Sequence, residues 1–231
     1  MRGSRDWTNR AESSRWLDMN GSLYAIGDIH GCIDRLRALL GKIDVDPARD
    51  RLVFLGDYID RGTSSYEVVD DLMQLGRQMP NTVFLKGNHE EMFAQYLAGK
   101  DRELFLMNGG QATIESYRRH KSPYYHEHLV PETHVRFFES LRLYYQTDDY
   151  IFVHAGLREA LPIEAQLSED LLWIRDEFIA SDHDFGKRVI FGHTPFSNPL
   201  VKGNKIGIDT GAVYGNRLTC VKLPEMVFFH A

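Results

Sequence analysis

Five apolar stretches of this chain each run straight into a residue that can hold a metal ion. LYAIG leads to Asp28 and His30, RLVFLG to Asp57, TVFLKG to Asn88, YIFV to His154 and VIFG to His193. Apolar runs this short, rich in β-branched and aromatic residues, read as buried strands. In open α/β sheets, ligand-binding residues lie beyond the carboxyl ends of the strands. Six oxygen and nitrogen donors are therefore expected to converge on one edge of one sheet.

The segments between these runs support that arrangement. A strand at about 22–27 is followed by CIDRLRALLGKI, where Ile33, Leu36, Leu39, Leu40 and Ile43 fall at helical spacing. A strand at about 51–56 precedes a helix at about 64–77 striped by Val68, Val69, Leu72 and Leu75, and a strand at about 82–86 precedes a helix starting near Glu90. This βαβαβ order predicts parallel strands at the heart of a sheet. Residues 91 to about 148 interrupt the pattern as a helical, loop-rich, cap-like insertion. Seven of the eleven tyrosines lie between Tyr96 and Tyr150, either as an aromatic wall beside the site or as packing for a small helical subdomain. Strands return at 150–154 and 188–191, then at about 199–202, 205–209, 217–222 and 226–230, where short runs broken by Asn, Gly and Pro suggest an antiparallel portion. The expected fold class is α/β (α+β), with two packed sheets flanked by helices. Residues 21–231 read as one domain and residues 1–20 as an N-terminal extension.

Composition narrows the function classes. The 231 residues are 43% hydrophobic, enough for a sizeable core, and carry a net charge of -6, which gives no reason to expect nucleic acid or an anionic membrane as partner. No apolar run approaches the ~20 residues of a membrane span. The first twenty residues lack the apolar region of a signal peptide. Two distant cysteines, Cys32 and Cys220, make no disulfide framework and point to a reduced, cytoplasmic protein. Oligomeric state is not legible, and a monomer is the default.

The donor types suit divalent cations. Asp28 and His30 alternate in GDIHG, so on an extended chain both would project to one side and grip a single ion. Asp57, in GDYIDRG, offers two oxygens and a full charge, which suits a bridge between two cations. Asn88 in GNHE supplies a neutral amide oxygen, and adjacent His89 is expected to point elsewhere, toward substrate. His154 and His193 each follow a strand, and neither would mean much alone. Donors of the right type at all the strand ends imply a two-metal site, and with it hydrolysis of a phosphate ester.

GDIHG, GDYIDRG, GNHE, HAG, GHT and IDTGA, in this order and spacing, resemble the phosphoprotein phosphatase family of binuclear metallophosphoesterases. The match runs from about residue 22 to 222, and the size and LLWIRD segment are most similar to the compact bacterial and phage members. The resemblance implies that Asp28, His30 and Asp57 hold one metal, and that Asp57, Asn88, His154 and His193 hold the other. It implies a solvent-derived hydroxide as nucleophile, with Mn²⁺ as the expected ion and Fe, Zn or Mg compatible with the donors. Arg61 is the first candidate to grip phosphate, because its planar fork binds two oxygens. Arg175, in LLWIRD, is the second, unless it pairs with Asp176 or Glu177 on a helix surface. His89 would protonate the leaving oxygen with Asp60 as its carboxylate partner. Asp209 either supports the site from behind or caps the turn after a strand. The His126-Glu127-His128 triplet reads as a solvated loop.

Two substrates compete. The leading expectation is a phosphomonoesterase for phosphorylated protein, serine/threonine by default and tyrosine as well if the site is open. The alternative is symmetrical hydrolysis of diadenosine tetraphosphate, whose enzymes share the Asn108-Gly109-Gly110 element and a closing segment like Asp209-Thr210-Gly211 with Leu218-Thr219-Cys220. Asp60 and Glu90 favour the phosphatase, since those hydrolases lack the Asp and read GNHD. An acid also matters most when the leaving group is a poor one.

Overall fold

The computed structural model describes residues 21–120 and 129–231. The N-terminal extension and the His126-Glu127-His128 triplet lie outside the described residues. Two five-stranded sheets form the framework. The first has the order β10-β9-β1-β2-β3, built from β1 (Leu23–Ile26), β2 (Arg51–Phe54), β3 (Val83–Phe84), β9 (Thr219–Leu223) and β10 (Val227–His230). The second has the order β4-β5-β6-β8-β7, from β4 (Tyr144–Gln146), β5 (Tyr150–Val153), β6 (Arg188–Phe191), β7 (Leu200–Val201) and β8 (Lys205–Gly207).

Both sheets have parallel strands at the centre; the second has an antiparallel strand at each margin, and the first has antiparallel strands on one side only. β1, β2 and β3 run parallel, as do β5, β6 and β8. The expected antiparallel portion exists, but divided. β7 pairs with β8 in the second sheet, whereas β9 and β10 return to the first and lie antiparallel beside β1.

The apolar runs are continuous because both faces of these strands are covered. Ala25, Val53, Phe152 and Ile190 point between the sheets and join one cluster with Leu55, Ile206, Ile208 and Val221. Their neighbours Tyr24, Ile26, Leu52 and Phe54 point outward against helices α1 (Ile33–Leu40) and α2 (Ser65–Gln78). On the far side, Ile151, Val153, Val189 and Phe191 pack on Leu171 of α7 (Ser168–Trp173) and Phe178 of α8 (Asp176–Ala180). The period of two along each strand thus sorts side chains into inner and outer layers.

The segment expected to be an insertion supplies α3 (Asn88–Leu97), α4 (Arg102–Phe105), a five-residue π-helical turn Leu106–Gly110, α5 (Gln111–Arg119) and α6 (Glu132–Glu139). Its Phe93, Phe105, Tyr117, Phe137 and Phe138 join the cluster outside the first sheet. Its described tyrosines pack rather than wall a site: Tyr96 and Tyr117 belong to that cluster, Tyr145 and Tyr150 to the inter-sheet layer, and Tyr144 to the third cluster, while Tyr124 and Tyr125 lie outside the described residues. β4 lies at the end of the stretch expected to be helical, because three residues pairing with β5 leave no periodic signal. α7 and α8, at six and five residues, escape a reading of the sequence for the same reason.

Phe152 is fully buried in the inter-sheet layer and tests this packing. Phe152→Ala is expected to cost about 3–5 kcal/mol of unfolding free energy, measured by urea denaturation. A loss under about 1 kcal/mol would mean that the sheets do not pack through this ring.

Candidate metal and phosphate site

Parallel strands within each sheet deliver their carboxyl ends to one side, and the two sheets deliver to the same place. Asp28 and His30 follow β1, Asp57 follows β2, Asn88 opens α3 just after β3, His154 follows β5 and His193 follows β6. Asp209 follows β8 as a seventh strand-end donor. All seven side chains are buried. Two groups of ligand atoms fall within 4.8 Å of one another, His30 with Asp57 and His89, and Asp57 with His154 and His193. Asp57 belongs to both.

The hydrogen bonds show what these atoms offer. His154 Nδ1 lies 2.8 Å from the Leu55 carbonyl, which can only accept, so the ring proton sits on Nδ1. His154 Nε2 is then a bare lone pair, yet it faces Asn88 Oδ1 at 2.9 Å and Asp57 Oδ1 at 3.4 Å. His193 Nδ1 lies 3.0 Å from the same Asn88 oxygen. The His154 lone pair and the Asn88 and Asp57 oxygens, converging with no proton between them, form a cation-binding set. A proton is a poor substitute, because burial, with Arg175 adding to it, pushes the His154 and His193 pKa values down, that of His193 to about 2. His30 follows the same logic. Its Nδ1 donates to the Ile59 carbonyl at 2.8 Å, leaving Nε2 to face Asp57 Oδ2 at 3.4 Å and accept from Arg61 Nη1 at 2.5 Å.

The carboxylates carry the same message. Asp28 accepts the His193 amide at 3.0 Å, and its pKa is raised well above the usual range by burial and by the charges of Asp209 and Asp57. Asp209 accepts the Gly211 amide at 2.9 Å, so it does cap the turn after its strand, and burial pushes its pKa up to about 6. The Asp57 pKa lies well below the normal carboxylate range: burial opposes its charge, but positive charge nearby, of which His89 is the cationic member, outweighs it. Cationic charge is what relieves such crowding. Close backbone approach seats two of these groups, since a Cβ on Gly87 or Gly192 would stand 2.1 Å from the Asp57 or Asp28 carboxylate. The donor set therefore fits divalent metal.

Asp28 and His30 do not converge as alternate residues of an extended chain. His30 has φ 47°, so the backbone turns there. His30, Asp57, Asp60, Arg61 and His193 make up five of the eight non-glycine residues with positive φ among the described residues. Asp and His tolerate this region better than most residues, whereas Arg61 has no such ease. Each costs about 1–3 kcal/mol unless the surroundings enforce it, and such strain clusters at functional sites.

Beside the donors stand the groups expected to handle substrate. His89 Nδ1 meets Asp60 Oδ2 at 2.6 Å in a fully buried pair, while His89 Nε2 has no hydrogen-bond partner. Burial disfavours a charged His89, but Asp57 and the bond to Asp60 outweigh it and raise its pKa. Arg61 is half-buried, with its guanidinium 5.6 Å from the centre of the Tyr214 ring. Arg175 is exposed and does not pair with Asp176 or Glu177; Arg158 binds Asp170 and Glu177 instead. Arg175 lines a 560 Å³ hollow with Leu167, Trp173 and Ile174, and the Trp173 ring meets His193 edge-on at 6.1 Å.

Three contributions are not legible in the sequence. Glu90 accepts the amides of Asp57, Tyr58 and Gly87 at 2.9, 2.8 and 2.9 Å and so ties together the turns after β2 and β3. Among the described residues, the exposed Tyr214 lies beside Arg61 and Trp173 beside His193, and both come from outside the insertion. Gly109 serves the site through its backbone, for its carbonyl accepts the Arg61 amide at 3.1 Å. The Asn-Gly-Gly element thus holds the Arg61 backbone.

The family model for calcineurin-like phosphoesterases matches residues 21–220, and the chain belongs to that family. Membership implies divalent metal ions and hydrolysis of phosphate esters. The chain is 26% identical over 225 residues, covering 87% of itself and 90% of the relative, to the bis(5'-nucleosyl)-tetraphosphatase PrpE [asymmetrical] of Bacillus thuringiensis (strain Al Hakam). Among solved structures, a putative diadenosine tetraphosphatase shares the fold with TM-score 0.74 at 22% identity, covering 93% of this chain and 94% of that one. A cold-active protein tyrosine phosphatase shares it with TM-score 0.67 at 18% identity, covering 90% and 78%. No helix among the described residues is long and apolar enough to cross a membrane.

Asp57→Ala is expected to empty both halves of the site, read as loss of both ions by elemental analysis of Mn²⁺-loaded protein. Unchanged metal content would mean that Asp57 is not shared.

Proposed function

We propose that the chain is a phosphomonoester hydrolase for phosphoserine and phosphothreonine side chains that uses two divalent ions, with Mn²⁺ as activator. The observation that carries this reading is the buried 2.6 Å contact between His89 and Asp60. A positioned acid repays its cost when the leaving group is a poor one, and a serine alkoxide is far poorer than a nucleoside polyphosphate.

Asp28, His30 and Asp57 would hold one ion, and Asp57, Asn88, His154 and His193 the other. When bound, such ions lower the pKa of water toward neutrality and offset charge on phosphoryl oxygens. Asp60 keeps the Nδ1 proton of His89 in place, and Nε2 is the atom from which a proton passes to the leaving oxygen. Arg61 and Arg175 provide forked donors for the phosphoryl oxygens. The reading takes residues 21–231 as one catalytic domain with residues 91–148 as its insertion. It works as a cytoplasmic monomer on phosphorylated protein, without nucleic-acid or membrane partners.

A second reading, hydrolysis of diadenosine tetraphosphate, draws support from the names of the relatives and from Tyr214, an exposed ring beside Arg61 on which a nucleobase can stack. The Bacillus thuringiensis relative carries the asymmetrical designation, not the symmetrical one considered from sequence.

The deciding measurement is kcat/KM for a phosphoserine peptide, a phosphotyrosine peptide and diadenosine tetraphosphate with Mn²⁺ present. The phosphoserine peptide is expected to lead the dinucleotide by at least about tenfold, a difference of roughly 1.4 kcal/mol in transition-state stabilisation. A lead for the dinucleotide would replace the first reading by the second. His89→Asn is expected to lower kcat on the phosphoserine peptide by about 10²–10⁴ with metal content unchanged.

A further inference from the structure

The insertion reaches the His89–Asp60 pair through one side chain. Thr113 lies in the first turn of α5, and its hydroxyl donates to Asp60 Oδ1 at 2.6 Å. The same oxygen accepts the Asp60 amide at 2.9 Å and lies 3.0 Å from Ser65 Oγ. A threonine hydroxyl has one proton and two lone pairs. With the proton given to Asp60, Ser65 must donate in the Ser65–Thr113 contact, and the bonding capacity of Thr113 is filled. Asp60, Ser65 and Thr113 are all 0% exposed, so water cannot stand in for any of them.

Both oxygens of the Asp60 carboxylate are therefore held, Oδ1 by Thr113 and Oδ2 by His89 Nδ1. A carboxylate gripped at one oxygen alone can swing, and the imidazole attached to it swings as well. Gripped at both, it fixes the plane of the His89 ring and the direction of Nε2. The same segment holds the next residue, for the Arg61 amide donates to the Gly109 carbonyl at 3.1 Å. Gly109 has φ 96°, and a Cβ there would meet Arg61 Cγ at 2.7 Å, so the two backbones approach too closely for a side chain. Asp60 and Arg61 are consecutive left-handed residues, φ 72° and 66°, and this segment binds the amide of each.

We propose that Thr113 is a positioning residue for phosphoryl transfer, whose hydroxyl locks Asp60 so that His89 presents Nε2 to the leaving oxygen. This rests on the acid role proposed for His89. The insertion is then part of the catalytic apparatus even though Thr113 does not itself touch the reacting atoms.

A leaving-group comparison separates positioning from general structural support. An acid matters for an alkoxide and little for nitrophenolate, which leaves unaided. Thr113→Val keeps the shape and removes the hydroxyl, and Thr113→Ser restores it. With metal content matched, Thr113→Val is expected to lower kcat on a phosphoserine peptide by about 10–100-fold, part of the full general-acid effect. Its kcat on p-nitrophenyl phosphate and its KM values should stay close to wild type, and Thr113→Ser should recover most of the loss. In proton NMR, the low-field His89 Nδ1–H resonance is expected to persist in Thr113→Ser and to shift or broaden in Thr113→Val. Where Thr113→Val does not fold, Thr113→Ala carries the same comparison, because it too removes the hydroxyl that holds Asp60 Oδ1.

Equal losses on both substrates, or none, would overturn the positioning role, provided that His89→Asn itself shows the selective loss. If His89→Asn also lacks selectivity, the acid reading fails and the proposal falls with it.

Discussion

Burying negative charge without a partner is among the most expensive things a protein interior can do. This chain gathers Asp28, Asp57, Glu90 and Asp209 at one dry edge, each 5% exposed or less. Glu90 is offset by three amides. Asp28 and Asp57 each receive only one amide, from His193 and His89, and neutral imidazoles present lone pairs to the same space. Much of the surrounding structure follows from that concentration of acceptors. It dictates which ring nitrogen of His30 and His154 carries the proton, and why main-chain carbonyls sit behind both rings. It also accounts for glycines where a Cβ would collide with a carboxylate.

The sandwich makes such a site tolerable. Side chains on both faces of the central strands are apolar, so the sheets resist distortion where their ends meet. Rigid strands can then hold five non-glycine residues of the site in left-handed backbone without relaxing. The strain is local, and the apolar layers behind it are what enforce it.

Much of this is legible in the sequence, for a physical reason. Apolar runs, helical stripes and strand-end donors are local signals, and β1, β2, β5 and β6 announce themselves that way. β4, α7 and α8 are three to six residues long and take their shape from their neighbours, so no period betrays them. The metal-type donors are visible as residue types, but their supporting partners are not. Nothing near Thr113 in the chain points to Asp60, which is 53 positions away. The Asn-Gly-Gly element stands out as a family marker, while its contribution depends on a carbonyl, which every residue possesses. The alternation of Asp28 and His30 suggests an extended chain, and the actual turn at His30 has no side-chain signature.

The position of β1 has a consequence for how the molecule must be assembled. It lies between β2, its neighbour in the early chain, and β9, which arrives only at Thr219–Leu223. During synthesis, the first βαβαβ unit can fold locally and bury its outer face. One margin of β1 then stays open until Thr219–Leu223 has emerged. An unpaired hydrophobic edge is an invitation to pair with another chain. The residues of the second sheet are all synthesised before that margin is sealed. A phosphatase assembled in this order depends on its last strands for solubility while it is being made, although every proposed metal donor precedes them in the chain.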